Sequence, residues 1–274
     1  MQKTEDTAAS ETRPLIGKLL HNGVLRLVLQ QPEKMNALSR AMMTALSAEL
    51  ELAAADPAVH VILLGAEGKV FCAGHDLKEL TAARAEADRG RATYEAIMRQ
   101  CSDLMQQIVR LPKPVIAVVT GVATAAGCQL VASCDLAIAT DTATFCTPGV
   151  NIGLFCSTPM VAVSRNASPK QAMEMLLTGE SIDASTAKSF GLINRIVPGD
   201  YLEQVVQKYA EVIASKSPLT LKIGKEAFYR QLEMPLGEAY DYAASVMVEN
   251  MMARDAEEGI NAFLQKRKPE WTGE

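Results

Sequence analysis

Short apolar segments alternate with amphipathic helical segments through the first half of this chain. Residues 59–64, 115–119 and 136–139 form runs of four to six residues that are almost wholly apolar. Runs this short and this apolar are typical of parallel strands that are covered by helices on both faces. The alternation therefore predicts an α/β fold.

The helical and strand segments each show one apolar face. An amphipathic helix with Ser39 as its N-cap is predicted because apolar residues recur at intervals of three and four. These residues are Met43, Leu46, Leu50 and Ala53. Before it, alternation predicts a strand with one face in the core, formed by Leu25, Leu27 and Leu29. A long polar helix is predicted over residues 83–110, and a short one opens near Gly127.

Strand signals nearly vanish after Pro169, where helical periodicity takes over. Helices are predicted over residues 171–178, 184–190, 201–214, 219–231, 236–251 and 255–266. Residues 236–263 carry apolar side chains on more than one face, which is more than packing on a single core requires. We expect a disordered tail over 1–14, an α/β core over 15–167 and a helical region over 168–274.

Charge and cysteine content exclude several classes of protein. The formal net charge is −5, so nothing overall neutralises the phosphates of a nucleic acid or an anionic membrane. The six cysteines include no C-x-x-C pair, and the three histidines lie far apart. We therefore expect reduced thiols, no metal site, no nucleic-acid or membrane partner, and a cytoplasmic protein.

Three glycine-containing segments stand out as candidate sites, and the first is residues 71–80. Small residues at 72–74 follow a strand, which would expose backbone N–H groups to a closely docked ligand, with Lys78 in reach of an anion. Alternatively, this is an ordinary strand–turn–helix connection in which Asp76 caps a helix and His75 is a surface residue.

The second segment, residues 120–130, leads from a buried strand through a series of small residues into a helix. The first turn of such a helix carries unpaired N–H groups that stabilise a developing oxyanion. The alternative is that the small residues serve only the close packing of a helix on a sheet. Both interpretations fit the sequence.

The third segment, residues 145–153, reads as a type II turn because Pro148 precedes Gly149. It offers no general acid or base. Four nucleophiles lie near the three segments: Cys128, Cys146, Cys156 and Ser157. The one nearby histidine, His75, has no orienting partner, which disfavours nucleophilic catalysis. The basic cluster at residues 266–268 is typical of a solvated helix end.

The order of motifs along residues 16–271 resembles the enoyl-CoA hydratase/isomerase (crotonase) superfamily. The motifs are NAL at 36–38, FCAGHDLKE at 71–79, PVIA at 114–117, GCQL at 127–130, CD at 134–135, LTG at 177–179 and FLQKRKP at 263–269. The segments GHDLKEL at 74–80, ATAAGCQL at 123–130 and TPGVN at 147–151 are more closely similar to the enoyl-CoA hydratase domain-containing branch.

The resemblance implies a crotonase-like superhelix of strand–strand–helix units whose helical C-terminal region packs across a homotrimer, commonly paired into hexamers. It implies an acyl-CoA substrate, with coenzyme A as part of that substrate and no other cofactor. Backbone N–H groups of His75 and Ala126 would hold the thioester oxygen. Lys78, and Lys266 or Lys268, would lie near the CoA phosphates. The turn at Asn36 and Ala37 would lie beside the adenine. The implied substrate-binding residues are Asn36, Ala37, Ala73, Gly74, Asp76, Lys78, Gly127, Lys266 and Lys268.

The chain departs from the hydratase pattern where two glutamates would position and activate water. Their places fall on Gln129 and Gly149, and a third place for an acid falls within residues 154–158, which hold no carboxylate. An amide exchanges no proton at neutral pH, and each general acid or base contributes ~10² to 10⁴-fold. We expect an oxyanion site with weak ordinary hydratase activity.

Two functions stay open. The favoured one is an enzyme of the hydratase/isomerase family, a lyase or isomerase of fatty acid metabolism, acting on an enoyl- or acyl-CoA by oxyanion stabilisation. Its proton transfer would come from the substrate itself, from Cys146, from the His75 ring, or from water held by Gln129 and Asn151. The alternative is a non-catalytic acyl-CoA-binding or regulatory protein.

Overall fold

Two mostly parallel sheets form the centre of the molecule. The structure, a computed structural model, describes residues 13–274. These residues form ten strands, which are β1 Ile16–His21, β2 Val24–Leu29, β3 Val61–Ala66, β4 Val70–Cys72, β5 Val115–Val119, β6 Val122–Thr124, β7 Leu136–Thr140, β8 Thr144–Cys146, β9 Ile182–Asp183 and β10 Arg195–Val197.

Helices cover the sheets and make up most of the C-terminal part. The α-helices of the described residues are α1 Arg40–Ala55, α2 Leu77–Ala83, α3 Arg91–Arg110, α4 Ala126–Ser133, α5 Ser157–Val163, α6 Pro169–Thr178, α7 Ala184–Ser189, α8 Leu202–Ala214, α9 Pro218–Gln231, α10 Leu236–Met252 and α11 Arg254–Leu264.

The chain repeats a strand–strand–helix unit. A longer strand of each unit joins a six-stranded sheet of order β1-β2-β3-β5-β7-β10, and the short strand after it joins a four-stranded sheet of order β4-β6-β8-β9. Strands β3, β5 and β7 pair in parallel, as do β4, β6 and β8. Each unit therefore advances the chain by one strand in both sheets, and the predicted α/β superhelix is confirmed.

The predicted apolar faces form the core. Leu27 and Leu29 in β2 are fully buried, and every residue of β5 is buried. Helix α1 begins where predicted, because the Ser39 side chain accepts a hydrogen bond from the Met42 N–H at 3.2 Å. The larger core cluster takes residues from Ile16 to Ile193, so apolar packing continues across the predicted boundary between residues 167 and 168.

The helix predicted over residues 83–110 is confirmed over 91–110 as α3, but its predicted start is wrong. Helix α2 ends at Ala83, and α3 begins at Arg91. Between them Arg89 and Gly90 have φ of 59° and 86°, outside the right-handed helical region. The Asp88 carboxylate accepts hydrogen bonds from the N–H groups of Gly90 and Ala92, which starts the second helix.

The predicted type II turn at Pro148-Gly149 is also wrong. Residues Pro148–Ile152 form a 3-10 helix, and the left-handed residue is Gly153, with φ 76°, at its end. The short strands β9 and β10 were not predicted, because two or three residues are too few to show alternation. The strand expected over 59–64 begins two residues later, at Val61.

The predicted disordered tail, residues 1–14, lies outside the described residues except for its last two. Of these, Arg13 pairs with Glu67, the two side chains being 2.5 Å apart. In residues 13–274 no helix is long and apolar enough to cross a bilayer. The same residues contain no cluster of three or more His, Cys, Asp or Glu side chains arranged to bind a metal ion.

Candidate functional site

The loop after β4 and the N-terminus of α4 meet at one edge of the four-stranded sheet. Strands β4 and β6 are parallel neighbours, so the segments that follow them leave the sheet on the same side. A Cβ added to Gly74 would lie 3.1 Å from the Ala126 nitrogen. The structure therefore places the loop that carries His75 beside the N-terminus of α4, the two segments that the family resemblance pairs.

The N–H groups of His75 and Ala126 have no acceptor among the described residues. The residue before Ala126 has an unusual conformation, since Ala125 has φ 52° and ψ −120°. Its own N–H donates to the Cys146 carbonyl at 2.9 Å, which fixes this conformation. A non-glycine residue at such angles costs ~1–3 kcal/mol and persists only where the surrounding structure imposes it.

Close packing brings α4 to this position. A Cβ on Gly127 would lie 2.1 Å from the Cys72 carbonyl oxygen, so only glycine fits at this point of the helix. The packing interpretation of residues 120–130 is thus correct for Gly127. It does not account for the free N–H of Ala126, because that group has no hydrogen-bond acceptor among the described residues.

The turn at Asn36 and Ala37 lies beside the same loop. The Leu38 N–H donates to the Gly74 carbonyl at 2.7 Å, and the Ala73 N–H donates to the Met35 carbonyl at 3.1 Å. The Asn36 side chain is fully buried and bonds to backbone groups of residues 31, 67 and 70. Any contact of Asn36 with a ligand must therefore come from its backbone.

The carboxylates of residues 71–80 are engaged with backbone groups. Asp76 caps α2, accepting from the Lys78 N–H at 2.8 Å, as the alternative interpretation proposed. Glu79 Oε2 accepts from the Arg40 N–H at 3.0 Å. Both carboxylates are therefore oriented by backbone N–H groups. The Lys78 side chain is exposed at the start of α2, where an anion can reach it.

The His75 ring is not the surface group that the alternative interpretation assumed. Its two nitrogens are the fully buried side-chain polar atoms without a hydrogen-bond partner in residues 13–274. Burial lowers the pKa of His75 below its ordinary value of 6.5, against smaller opposing effects of the Leu38 backbone and Glu79. The ring is therefore neutral at pH 7.

The Gln129 side chain lies one helical turn after Ala126. It is 4% exposed, and its Oε1 accepts a hydrogen bond from the Cys101 thiol at an Sγ–O distance of 3.9 Å. Burial raises the pKa of the Cys101 thiol to about 12, so this thiol keeps its proton. The sequence indicated Gln129 but gave no sign of its partner in α3.

Gly149 faces Cys156 across the loop that follows β8. A Cβ added to Gly149 would lie 2.8 Å from the Leu154 carbonyl oxygen and 2.9 Å from Cys156 Sγ. Burial raises the pKa of the Cys156 thiol, and the Cys146 thiol donates to Thr124 Oγ1 at 3.1 Å. A protonated Cys156 thiol is a poor nucleophile.

The C-terminal lysines are not brought to this site within one chain. Lys266 and Lys268 are exposed residues after α11, which packs on α9 and α10. In the described part of the chain no hydrogen bond or ion pair joins either lysine to residues 71–80. The site thus consists of two free backbone donors, one exposed lysine, a buried amide and several buried thiols. This arrangement can stabilise an oxygen that gains negative charge.

Relatives and solved structures resemble this chain over nearly its whole length. The human enoyl-CoA hydratase domain-containing protein 3, named mitochondrial, is 48% identical over 265 residues, covering 97% of this chain and 86% of that protein. The crystal structure of the human protein has a TM-score of 0.89 at 47% identity, covering 94% of this chain and 100% of that one. A Mycobacterium smegmatis enoyl-CoA hydratase structure has a TM-score of 0.90 at 48% identity, covering 94% and 99%.

The expectation of a cytoplasmic protein is contradicted by these relatives, because the human, rat and mouse proteins are all named mitochondrial. The expectation depended on unpaired, apolar cysteines. Reduced thiols distinguish a reducing from an oxidising environment, but they do not distinguish one reducing compartment from another.

The sequence model of the enoyl-CoA hydratase/isomerase family matches residues 20–274, which include every site segment described above. A relative from Escherichia coli named 2,3-dehydroadipyl-CoA hydratase is 34% identical over 251 residues, covering 91% of this chain and 95% of that protein. The chain therefore belongs to the enoyl-CoA hydratase/isomerase (crotonase) family, in the branch of the enoyl-CoA hydratase domain-containing proteins.

Proposed function

We propose that this protein binds acyl-CoA thioesters and acts on them as an enzyme by stabilising negative charge on the thioester oxygen. The observation that carries the proposal is the pair of adjacent N–H groups on His75 and Ala126, both without an acceptor. Two such donors, fixed before the substrate arrives, stabilise an enolate or tetrahedral oxyanion without reorganisation, and one such donor typically contributes ~10² to 10³-fold to a rate.

The coenzyme A part of the ligand fits the polar groups around this pair. Lys78 offers an exposed cation for a phosphate in a chain whose net charge is −5. The turn at Asn36 and Ala37 offers backbone groups beside the loop of residues 73–75. The name of the E. coli relative, a CoA-thioester hydratase, supports this class of substrate.

The protein should have little ordinary hydratase activity. Gln129 and Gly149 stand where the family resemblance implies two glutamates, and the carboxylates of Asp76 and Glu79 are already held by backbone N–H groups. Neither residue 129 nor residue 149 thus offers a carboxylate to activate water. Loss of two acid–base groups lowers a rate by orders of magnitude.

We further propose that the chain forms a homotrimer or a dimer of trimers. Helices α10 and α11 leave large apolar side chains open to solvent in the single chain, among them Tyr240 at 71%, Met252 at 79% and Phe263 at 82% exposure. A soluble monomer rarely leaves so many apolar groups together. A second and third copy of the chain would cover them.

One experiment separates the enzyme from the non-catalytic binder. Calorimetry measures binding of butyryl-, crotonyl- and acetyl-CoA, and mass spectrometry follows deuterium uptake into each acyl group in deuterated water. We expect micromolar binding, about 8 kcal/mol, and exchange at the α-carbon of at least one thioester. Binding without exchange or product supports the non-catalytic alternative. No binding at low salt contradicts both functions.

A further inference from the structure

The Cys101 thiol orients the Gln129 amide through a hydrogen bond to its oxygen. The thiol is the donor of this pair, because its pKa is raised and it keeps its proton. Its partner is Gln129 Oε1, so the carbonyl end of the amide points toward α3. The NH₂ group is therefore not used in this hydrogen bond.

The NH₂ end of Gln129 is available to a ligand. Nε2 makes no hydrogen bond to any described residue. In residues 13–274 the fully buried polar side-chain atoms without a partner are the two ring nitrogens of His75, so Nε2 is not one of them. Part of the Nε2 surface is therefore accessible, although the residue as a whole is 4% exposed. A donor that stays accessible on an otherwise buried side chain can hydrogen-bond to an acceptor on a ligand.

The position of Gln129 relative to Ala126 determines which atoms of a bound acyl group its amide can contact. Gln129 is three residues after Ala126 on α4, and residues three apart lie on the same helix face with ~5–6 Å between their Cβ atoms. An acyl group whose thioester oxygen is held by the Ala126 N–H would extend its next carbons past this amide. The second or third atom beyond the thioester carbon lies at about that separation.

We propose that the substrates of this site are CoA thioesters whose acyl group carries a hydrogen-bond acceptor on its third carbon, as in 3-oxoacyl or malonyl thioesters. Gln129 is a specificity residue that donates from Nε2 to that oxygen, while His75 and Ala126 hold the thioester oxygen. The inference rests on the proposed function and names its substrate class. A carboxylate at residue 129 would offer no donor and would repel such an oxygen.

The test compares three ligands of similar size on the intact oligomer. Calorimetry measures the Kd of butyryl-CoA, acetoacetyl-CoA and malonyl-CoA. A hydrogen bond to a buried donor contributes enough for the two acceptor-bearing thioesters to bind about three- to tenfold more tightly than butyryl-CoA. A gain for acetoacetyl-CoA alone indicates a neutral ketone, and a gain for malonyl-CoA alone indicates a carboxylate. Equal affinity for all three overturns the inference.

Three variants locate the effect. Gln129→Glu and the apolar Gln129→Met should both abolish the preference, and two variants keep the test decisive if one fails to fold. Gln106→Glu, the same chemical change on the exposed face of α3, should leave all three affinities unchanged. A preference that persists in Gln129→Met contradicts the role of Gln129. If butyryl-CoA itself does not bind, the proposed function fails, which is a separate result.

Discussion

Gly74 lies against the nitrogen of Ala126, and a Cβ added to Gly74 would come within 3.1 Å of that atom and within 3.0 Å of the Ala125 Cβ. Gly74 also has φ 86°, a conformation that favours glycine. This contact joins the two segments that carry the free N–H groups, although they lie about fifty residues apart in the sequence. The separation of the two donors therefore depends on the absence of a side chain at residue 74.

Gly74→Ala should impair both stability and ligand binding. The positive φ and the close contact together should lower the free energy of unfolding by about 1–3 kcal/mol, and the loop must shift away from Ala126. Denaturant unfolding and acyl-CoA calorimetry measure the two effects.

Gly224→Ala is the matched control, because no atom lies within 4 Å of its added Cβ and the residue sits inside α9. It should raise the free energy of unfolding by ~0.5–1 kcal/mol and leave acyl-CoA binding unchanged. If Gly74→Ala binds acyl-CoA as tightly as the unaltered protein, the two segments do not act together.

Restoring carboxylates should raise crotonyl-CoA hydration from near background. Gln129→Glu alone should have little effect. Gly149→Glu alone should cost about 1–3 kcal/mol of stability, because its Cβ meets the Leu154 carbonyl and Cys156 Sγ. Adding Cys156→Ala removes one of these contacts and should recover part of the loss.

The triple variant Gln129→Glu, Gly149→Glu, Cys156→Ala should hydrate crotonyl-CoA faster than the single changes predict together, because groups that act as a unit are not additive. Loss of enoyl absorbance follows the rate. Hydration by the unaltered protein at ordinary hydratase rates would contradict the assignment of residues 129 and 149.

The parts of the site carried by local chain chemistry were predictable from the sequence. The Ser39 cap, the burial of Leu27 and Leu29, and the free N–H groups after two buried strands follow from residue type and spacing. The break between α2 and α3 was missed because the Asp88 cap lies within a continuous helical pattern. No change in the spacing of apolar residues marks the point where α2 ends and α3 has not yet begun.

Contacts between distant segments were not predictable. Cys101 meets Gln129 only because α3 packs on α4, and Cys156 meets Gly149 only because the loop after β8 forms a 3-10 turn instead of a type II turn. Both pairs depend on tertiary packing, which leaves no periodic signal in one sequence. The burial of the His75 ring is of the same kind.

Lys78→Ala should weaken every acyl-CoA about equally. The exposed ammonium of Lys78 attracts a phosphate through a screened interaction, so we expect about three- to tenfold weaker binding at low salt and a smaller difference at 0.5 M salt. Calorimetry of butyryl-CoA at two salt concentrations measures this. Lys18→Ala, on β1, is the control and should not change the affinity. An affinity that Lys78→Ala leaves intact at low salt would exclude a phosphate contact.

Charged substitutions on the exposed apolar helices should break the oligomer. Met252→Glu with Phe263→Glu changes two side chains that are 79% and 82% exposed in the single chain, so the fold itself should tolerate them. Light scattering should give three or six chain masses for the unaltered protein and one for this variant. Leu19→Glu, 65% exposed on β1, should leave the mass unchanged. A monomeric unaltered protein at micromolar concentration would refute the proposal.

The buried His75 ring should make stability depend on pH below neutrality. Burial lowers its pKa in the folded state, and Glu79 is the one charged group that acts on it. Because the unfolded chain binds this proton more readily, the contribution of His75 to stability is complete above about pH 6.5 and is lost as the pH falls through the lowered folded-state value. Unfolding by urea between pH 7.5 and 4.5 measures the loss. His75→Leu removes the titrating ring and should flatten this part of the profile, whereas His21→Leu, at an exposed position on β1, should not. An unchanged profile in His75→Leu would mean that another group causes the acid sensitivity, and that the two unpartnered nitrogens are stabilised within the folded protein.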